Sequence, residues 1–152
     1  MAELHSEVLF EMSLDLGEVH DVGTTPHGIR RIITAKEGTF TGPKLRGVVL
    51  PGGIDWQLRR PDGVGELDVR LTLRTDDGHL IYMTLWGITL IPPAIMQRIR
   101  QGDAVDPSEY YLRTTPRFET GSEKYGWLNR LIAVSVGQRT PAGAHHTVYA
   151  IL

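Results

Sequence analysis

Strict alternation of apolar and polar residues along one segment constrains the fold of this chain more than any other feature. The apolar members of the alternation are Leu67, Val69, Leu71 and Leu73. The polar members are Asp68, Arg70, Thr72 and Arg74. A period of two residues is typical of a β-strand with two different faces. Residues 75–78, Thr-Asp-Asp-Gly, then supply hairpin-turn chemistry before an apolar run resumes at Leu80. Residues 65–89 are therefore predicted to form a β-hairpin with a charged stripe.

Glycines and prolines, 17 and 9 in number, divide the rest of the chain into short runs with strand character. The predicted strands are residues 7–16, 28–35, 38–40, 45–50, 55–60, 66–75, 80–89, 110–115, 128–138 and 146–152. Helix is predicted only at 93–101, with a second short helix or turn at 106–109. Because many strands with few helices leave hydrogen-bonding edges open, closure is economical, and we predict an all-β, single antiparallel β-barrel domain spanning 1–152.

Composition excludes several classes of function. The net charge is −2, and no cluster of basic residues interleaved with aromatics is present, so neither nucleic acid nor a membrane is an expected partner. The chain has no cysteine, which removes disulfides, thiol catalysis and thiolate metal sites. No signal-peptide pattern and no apolar run of membrane-spanning length occurs, so a cytoplasmic protein is expected.

The face of each strand that lines the barrel is left open by alternation alone. In residues 128–138 the odd positions are small or polar, as at Ala133, Ser135 and Gly137, which leaves space beside that face. If Asp68 and Arg70 also point inward, the barrel holds a partly polar cavity, and its apolar exterior must be covered by helix, loops or another subunit. A homo-oligomer, a dimer or larger, is therefore expected. The alternative places the leucines inside and the charges in water.

A set of short motifs spanning residues 28–137 resembles the DUF3237 family, also called UPF0311. The motifs are Gly28-Ile29-Arg30-Arg31-Ile32, Gly42-Pro43 with Leu45 and Gly47, Leu50-Pro51-Gly52-Gly53 with Asp55-Trp56-Gln57, Leu67-Asp68-Val69-Arg70, Thr75-Asp76-Asp77-Gly78, Ile81-Tyr82, Tyr111-Leu112-Arg113, and Phe118-Glu119-Thr120 with Tyr125, Trp127, Leu128 and Asn129. The resemblance implies an antiparallel barrel of the calycin or lipocalin-like kind, and it implies fold more than mechanism. Thr84-Leu85-Trp86 departs from the more polar stretch expected in relatives.

The motif residues are richer in functional groups than a solvated surface requires, which favours the inward orientation. The predicted catalytic residues are Asp68 as general base or its orienter, Arg70 and Arg113 as oxyanion partners, Tyr82 as proton donor, and Glu119 as a weaker candidate. The predicted substrate-binding residues are Trp56, Thr72, Trp127, Asn129 and Tyr111. The six histidines are scattered without ligand spacing, so neither a metal nor a cofactor is expected.

Each of these candidates also has a structural interpretation. Asp68 with Arg70, or Arg113 with Glu119, could form a structural ion pair. Trp127 could close one end of the barrel together with its neighbour Tyr125.

The leading functional hypothesis is a cofactor-independent acid/base enzyme, of isomerase, cyclase, lyase or hydratase type. Its substrate is expected to be a hydrophobic oxygenated small molecule, aromatic or polyketide-like, held in the barrel. Two alternatives are a non-catalytic barrel that binds a carboxylate or phenol, and a protein whose motifs determine the fold and whose function is an interaction surface.

Overall fold

Nine β-strands supply most of the regular structure in the computed structural model, which describes residues 1–152. The strands are β1 Ser6–Thr25, β2 Gly28–Thr41, β3 Arg46–Val49, β4 Gly53–Arg59, β5 Gly65–Thr75, β6 Leu80–Leu90, β7 Tyr111–Glu119, β8 Ile132–Arg139 and β9 Gly143–Ile151. One α-helix, α1, spans Pro93–Arg100, and 3₁₀ helices span Pro107–Glu109 and Gly126–Arg130. The predicted all-β fold is confirmed, as are the helices predicted at 93–101 and 106–109. No helix has the length and apolar character needed to cross a membrane.

The strands form one antiparallel sheet that closes nearly into a ring. Their order is β1-β9-β8-β7-β6-β5-β3-β2-β4, and β1 also pairs with β2 while β5 also pairs with β4. Closure depends on the length of β2, whose residues 38–41 pair with β3 and whose residues 29–35 pair with β4. The predicted antiparallel barrel is thereby confirmed, with few strand edges left open.

The hairpin of β5 and β6 settles which face lines the barrel. Gly78 adopts φ 90°, a conformation that glycine reaches without strain, and the Thr75 hydroxyl accepts a hydrogen bond from the His79 N–H at 2.8 Å. Leu71 and Leu73 are 2% and 0% exposed, whereas Asp68, Arg70 and Thr72 are all exposed. The predicted inward orientation of the charged stripe is wrong, because burying the leucines stabilises the fold and burying unpaired charges would destabilise it.

Strand β8 begins later than predicted, since residues 126–130 form a 3₁₀ helix and the strand starts at Ile132. Its small residues Ala133, Ser135 and Gly137 are buried inside the barrel. The space inferred beside that face is therefore interior space.

Two other strands are longer than predicted. β1 continues to Thr25 and β2 spans both predicted runs 28–35 and 38–40, because the two strands pair as a long hairpin. Register shifts at Asp15/Leu16, Leu16/Val19 and Asp21/Gly23 bend this hairpin. Irregular pairing of this kind leaves little trace in apolar alternation.

The two ends of the barrel differ in chemistry. The Tyr125 end, named after that residue, is filled by a large apolar cluster that includes Phe10, Phe40, Leu73 and Leu128. The α1 end lies where β6 leads into the helix and β7 begins, and a smaller cluster of Ile99, Tyr110 and Leu112 packs there.

Candidate functional site

Buried polar side chains collect inside the barrel toward the α1 end. We define the interior polar cluster as Asp55, Thr114, Ser135, Arg139 and His146. Strands β4, β7, β8 and β9 contribute these residues. All except Arg139 are at most 7% exposed. Buried polar groups that serve only the fold are normally fully hydrogen-bonded, so the partners of each member decide its role.

Asp55 is the buried carboxyl group of the cluster. It lies on β4 between the outward-facing Ile54 and Trp56, and its side chain accepts a hydrogen bond from the Asp68 backbone N–H at 3.2 Å. Burial raises the pKa of Asp55 to about 6, although that hydrogen bond and the positive charges of Arg139 and Arg31 act in the opposite direction. A carboxyl group with this pKa exchanges protons readily near neutral pH.

Arg139 brings a positive charge to the same interior. Its backbone N–H donates to the Tyr110 hydroxyl at 2.9 Å, which fixes the end of β8 against β7. Its guanidinium group makes no hydrogen bond and no ion pair with any residue of the chain, and its Nε is buried without a partner. Burial lowers the pKa of Arg139, and the charges of Arg31 and Arg100 lower it further. An acceptor atom of a ligand would satisfy this donor.

His146 heads a chain of side-chain hydrogen bonds across three strands. Its Nδ1 lies 3.2 Å from the Ser135 hydroxyl, which in turn lies 2.5 Å from the Thr114 hydroxyl. Burial lowers the pKa of His146 to about 4, with the charges of His145 and Arg139 adding to the effect. The imidazole is therefore neutral at neutral pH. Gly137 makes room for it, since a Cβ there would lie 3.1 Å from the His146 Cε1 and closer to Leu112.

Apolar side chains border the interior polar cluster at the α1 end. Ile99 of α1 packs with Tyr110 and Leu112, and the partly buried Leu67, Ile91, Ile95 and Val105 pack against these three. Tyr110 belongs to both groups through its hydrogen bond with Arg139. Apolar walls with a few converging polar groups are typical of small-molecule sites.

Comparison with known proteins places this architecture in a family. The family model described as "Protein of unknown function (DUF3237)" matches residues 4–151. The chain belongs to the DUF3237 family. A UPF0311 protein of Clostridium acetobutylicum is 37% identical to it over 150 residues, covering 98% of this chain and 95% of the relative. The crystal structure of a conserved protein of unknown function from Rhodopseudomonas palustris superposes with a TM-score of 0.91 at 34% identity, covering 100% of both chains.

One more distant relative has a name that states a reaction. A hydroalkoxylation enzyme of Penicillium herquei is 28% identical over 127 residues, which cover 84% of this DUF3237 chain and 70% of the relative. An enzyme thus occurs among the distant relatives of this chain.

Most of the site residues predicted from this DUF3237 sequence lie on the outside of the barrel. The outward-facing residues are Asp68, Arg70, Thr72, Tyr82, Glu119, Trp56 and Tyr111, which are exposed, and Arg113, which is half-buried. The structural ion pairs considered for them are absent as well, since neither Asp68 with Arg70 nor Arg113 with Glu119 lies within 4.0 Å. The Arg113 guanidinium instead donates to the Leu112 carbonyl at 2.9 Å and stacks over the Tyr111 ring.

Two further predicted residues lie at the opposite end of the barrel from the interior polar cluster. Trp127 is partly buried against the apolar core at the Tyr125 end, with the Lys44 ammonium 5.5 Å from the centre of its ring. Asn129 is exposed, and its side-chain amide bonds to the backbone N–H and carbonyl of Thr120. This geometry agrees with the interpretation in which Trp127 helps to close the barrel.

The interior polar cluster is not evident from the sequence because its members are scattered along the chain. In the sequence, Asp55 is noticeable only as part of a motif. Because His145 and His146 are adjacent in a predicted strand, their side chains are expected on opposite faces rather than in one site. The small inward residues Ser135 and Gly137 are the available signal, since a polar side chain on a neighbouring strand has to fill the space they leave. Register between strands, which the sequence does not provide, identifies His146 as that side chain.

A surface cleft of about 460 Å³ lies elsewhere on the barrel, with Ser13, Asp15, Glu37, Thr39 and Arg74 among its lining residues. No member of the interior polar cluster lines it, so we assign no chemistry to it. No group of three or more His, Asp or Glu side chains in the chain is arranged to hold a metal ion.

Proposed function

We propose that this DUF3237 protein is a cofactor-independent acid/base enzyme whose reaction takes place at the interior polar cluster. The observation that carries the proposal is the placement of Asp55, a buried carboxyl group with a pKa of about 6, close to Arg139, whose buried Nε has no partner. The first group is suited to moving a proton, and the second to binding an oxygen that becomes negatively charged. The role of general base, predicted for Asp68, is thereby assigned to Asp55, and the role of oxyanion partner, predicted for Arg70, is assigned to Arg139.

The geometry supports a reaction in which a proton leaves one atom of the substrate and negative charge builds up on an oxygen. The Asp55 carboxylate takes a proton from a hydroxyl group or from a carbon next to a carbonyl, and the oxygen that becomes negative accepts a hydrogen bond from Arg139. The protonated Asp55 then returns the proton to another carbon or oxygen of the substrate. Isomerisation, cyclisation, dehydration and addition to an enone all follow this sequence without a cofactor.

The named reaction of the Penicillium herquei relative is of this kind. Hydroalkoxylation adds the oxygen and the hydrogen of an alcohol across a carbon–carbon double bond, and each proton that is removed is returned elsewhere. The apolar residues at the α1 end, such as Leu67 and Ile99, suit a hydrophobic substrate with one or two oxygen substituents. The substrate class proposed is therefore an oxygenated aromatic or polyketide-like molecule.

A ligand is needed before turnover can be measured, so the first experiment is a thermal-shift screen. Aromatic, polyketide-like and fatty carboxylic acids are tested with the wild type, Arg139→Gln and Arg70→Gln. We expect the stabilising compounds to lose their effect in Arg139→Gln and to keep it in Arg70→Gln, because only Arg139 faces the interior. Loss of the effect in Arg70→Gln alone would place the binding site on the outer surface and contradict the proposal.

Turnover is then followed by NMR on the compounds that bind, with Asp55→Asn and Asp68→Asn as a matched pair. General acid–base catalysis contributes typically about 10²- to 10⁴-fold, so Asp55→Asn should slow the reaction by that order while binding is retained. Asp68→Asn should leave the rate within a few-fold of the wild type. Binding without turnover by the wild type would instead support the non-catalytic binding protein.

A further inference from the structure

Exposed aromatic side chains are concentrated on one outer face of the barrel, formed by β4, β5, β6 and β7. Trp56, Tyr82 and Trp86 are 39%, 41% and 49% exposed, and two of the three tryptophans of the chain are among them. We call this surface the β4–β7 face. Large exposed aromatic residues grouped on a sheet commonly mark a contact surface.

Four charged side chains of the β4–β7 face have no partner within the chain. Asp68, Arg70, Arg117 and Glu119 take part in no ion pair and in no side-chain hydrogen bond. Elsewhere on the surface, several charges are paired, such as Arg60 with Asp62 at 2.7 Å. Partners for the unpaired charges would therefore come from another molecule.

Strand register orders these residues into rows. Trp86 on β6 lies opposite Asp68 on β5 and Thr115 on β7, and the next row places Thr84 opposite Arg70 and Arg117. The rows on either side place Arg113 opposite Ile88 and Glu119 opposite Tyr82. A line between the Trp86 row and the Thr84 row therefore separates Asp68 from Arg70 on β5, and Arg113 from Glu119 on β7.

Charges of opposite sign occupy equivalent positions on the two sides of this line. A two-fold axis along it, in the plane of the face and perpendicular to the strands, would exchange the two central rows and the two outer rows. Asp68 would then meet Arg70 of the partner subunit, and Arg113 would meet Glu119 of the partner subunit. Trp86 would meet Thr84 of the partner subunit, so the bulkiest side chain of the face would lie against a small one.

We propose that the β4–β7 face binds a second copy of this chain across that two-fold axis, forming a homodimer. A self-complementary face is what a two-fold interface requires. The face spans four strands and four rows, roughly 20 Å in each direction, and its projected area of about 400 Å² is roughly half of the area that a standard interface buries on each partner. The aromatic residues supply buried apolar area, and the charge pairs fix the orientation of the two copies.

The proposal is tested by two charge reversals that should each separate the dimer and should restore it when mixed. Asp68→Arg places two guanidinium groups together at each Asp68–Arg70 contact, and Arg70→Asp places two carboxylates together there. Each variant alone should be monomeric, with the dissociation constant raised roughly 100-fold by like-charge contact. In an equimolar mixture, the Asp68→Arg chain presents two arginines and the Arg70→Asp chain presents two aspartates, so a mixed dimer pairs opposite charges at both contacts.

The double variant Asp68→Arg/Arg70→Asp should restore the dimer within a single kind of chain. Each of its contacts again pairs an arginine with an aspartate, with the two charges exchanged, so a homodimer should form with an affinity close to that of the wild type. The equimolar mixture of the two single variants should dimerise with a similar affinity, whereas each single variant alone stays monomeric.

The measurement is the molar mass from light scattering coupled to size-exclusion chromatography, repeated in high salt, where the charge effects should weaken. Lys36→Asp reverses an exposed charge on β2, outside the face, and should remain dimeric. Circular dichroism melting of each variant checks that these exposed substitutions leave the fold intact. A monomeric wild type at tens of micromolar, dimeric single variants, or a double variant that stays monomeric would each overturn the proposal.

Discussion

The two ends of the barrel are built from the same strands but are stabilised differently. At the Tyr125 end, Phe10 packs its ring 5.4 Å from that of Phe40 and 5.9 Å from that of Phe118, and all three contribute to one apolar core. At the α1 end, Asp55 and His146 occupy interior positions where apolar residues would stabilise the fold more. The difference indicates that apolar packing is concentrated at one end, whereas the other end holds the polar groups on which the proposed reaction depends.

The comparison is tested most strongly by truncating an aromatic side chain at the Tyr125 end. Phe10 is 0% exposed, so Phe10→Ala should lower the free energy of unfolding by about 3–5 kcal/mol through lost burial and a cavity. Denaturant unfolding measures the change. A loss below about 1 kcal/mol would show that this end is loosely packed and would contradict the comparison.

Replacing the buried Asp55 at the α1 end should raise the free energy of unfolding, in contrast to Phe10→Ala. Folding raises the pKa of Asp55 to about 6 from its ordinary value of 3.8, so the folded state disfavours the carboxylate, and stability is lost as the pH rises through that interval. Asp55→Asn keeps an oxygen for the Asp68 N–H and removes the charge. It should therefore stabilise the protein by up to about 3 kcal/mol at pH 8 and by little at pH 4.

Denaturant unfolding of Asp55→Asn at both pH values provides this measurement, with Asp68→Asn as the control on the exposed face. Equal stability changes for the two variants at every pH would show that Asp55 is not held in an environment that disfavours its charge.

The buried His146 should make the free energy of unfolding depend on pH in the direction opposite to that expected for Asp55. Folding lowers the pKa of His146 from 6.5 to about 4, so its contribution to stability is present above pH 6.5 and is lost as the pH falls toward 4. Compared with the wild type, His146→Gln should thus become relatively more stable on acidification, by about 3 kcal/mol over this range. Urea unfolding of both proteins from pH 4 to pH 8 tests this. Parallel curves would mean that His146 titrates normally and is accessible to water.

The smallest expected effect is at the Tyr125 end. The Tyr125 hydroxyl donates to Asp77 at 2.9 Å, and the Lys124 ammonium also bonds to this carboxylate. Tyr125→Phe keeps the packed ring and removes one hydrogen bond at the surface, so it should cost about 1 kcal/mol. Thermal unfolding is sufficient to measure it. A loss as large as that of Phe10→Ala would show that polar contacts, rather than apolar packing, hold this end together.

Much of the fold was predictable because its signals are local. The alternation around Leu71 and the Asp77-Gly78 turn specify the central hairpin, and Pro93 with Gly102 bounds the helix. The long β1–β2 hairpin was less predictable, since register shifts near Leu16 break the period of two. The start of β8 was also misplaced, because residues 128–130 belong to a 3₁₀ helix that apolar periodicity does not reveal.

The candidate site was predictable only in part. The sequence indicated an interior with space beside Ser135 and Gly137, and it indicated acid and arginine chemistry, but it assigned that chemistry to Asp68 and Arg70. Alternation shows that a strand has two faces without showing which one is inside. A face with many charged and aromatic side chains suits a contact with a second copy of the chain as well as a cavity. Burial in the structure decides which face is inside.

The sequence by itself determined an antiparallel all-β chain, the turn at Gly78 and membership of a family, because each depends on residues close together or on motifs in fixed order. Only the tertiary structure decided that Asp55, Arg139 and His146 share one interior. These residues lie on three strands, and it is barrel closure that brings the first of them to the other two. Their altered pKa values have the same origin, since burial disfavours charge only once the surrounding strands have excluded water.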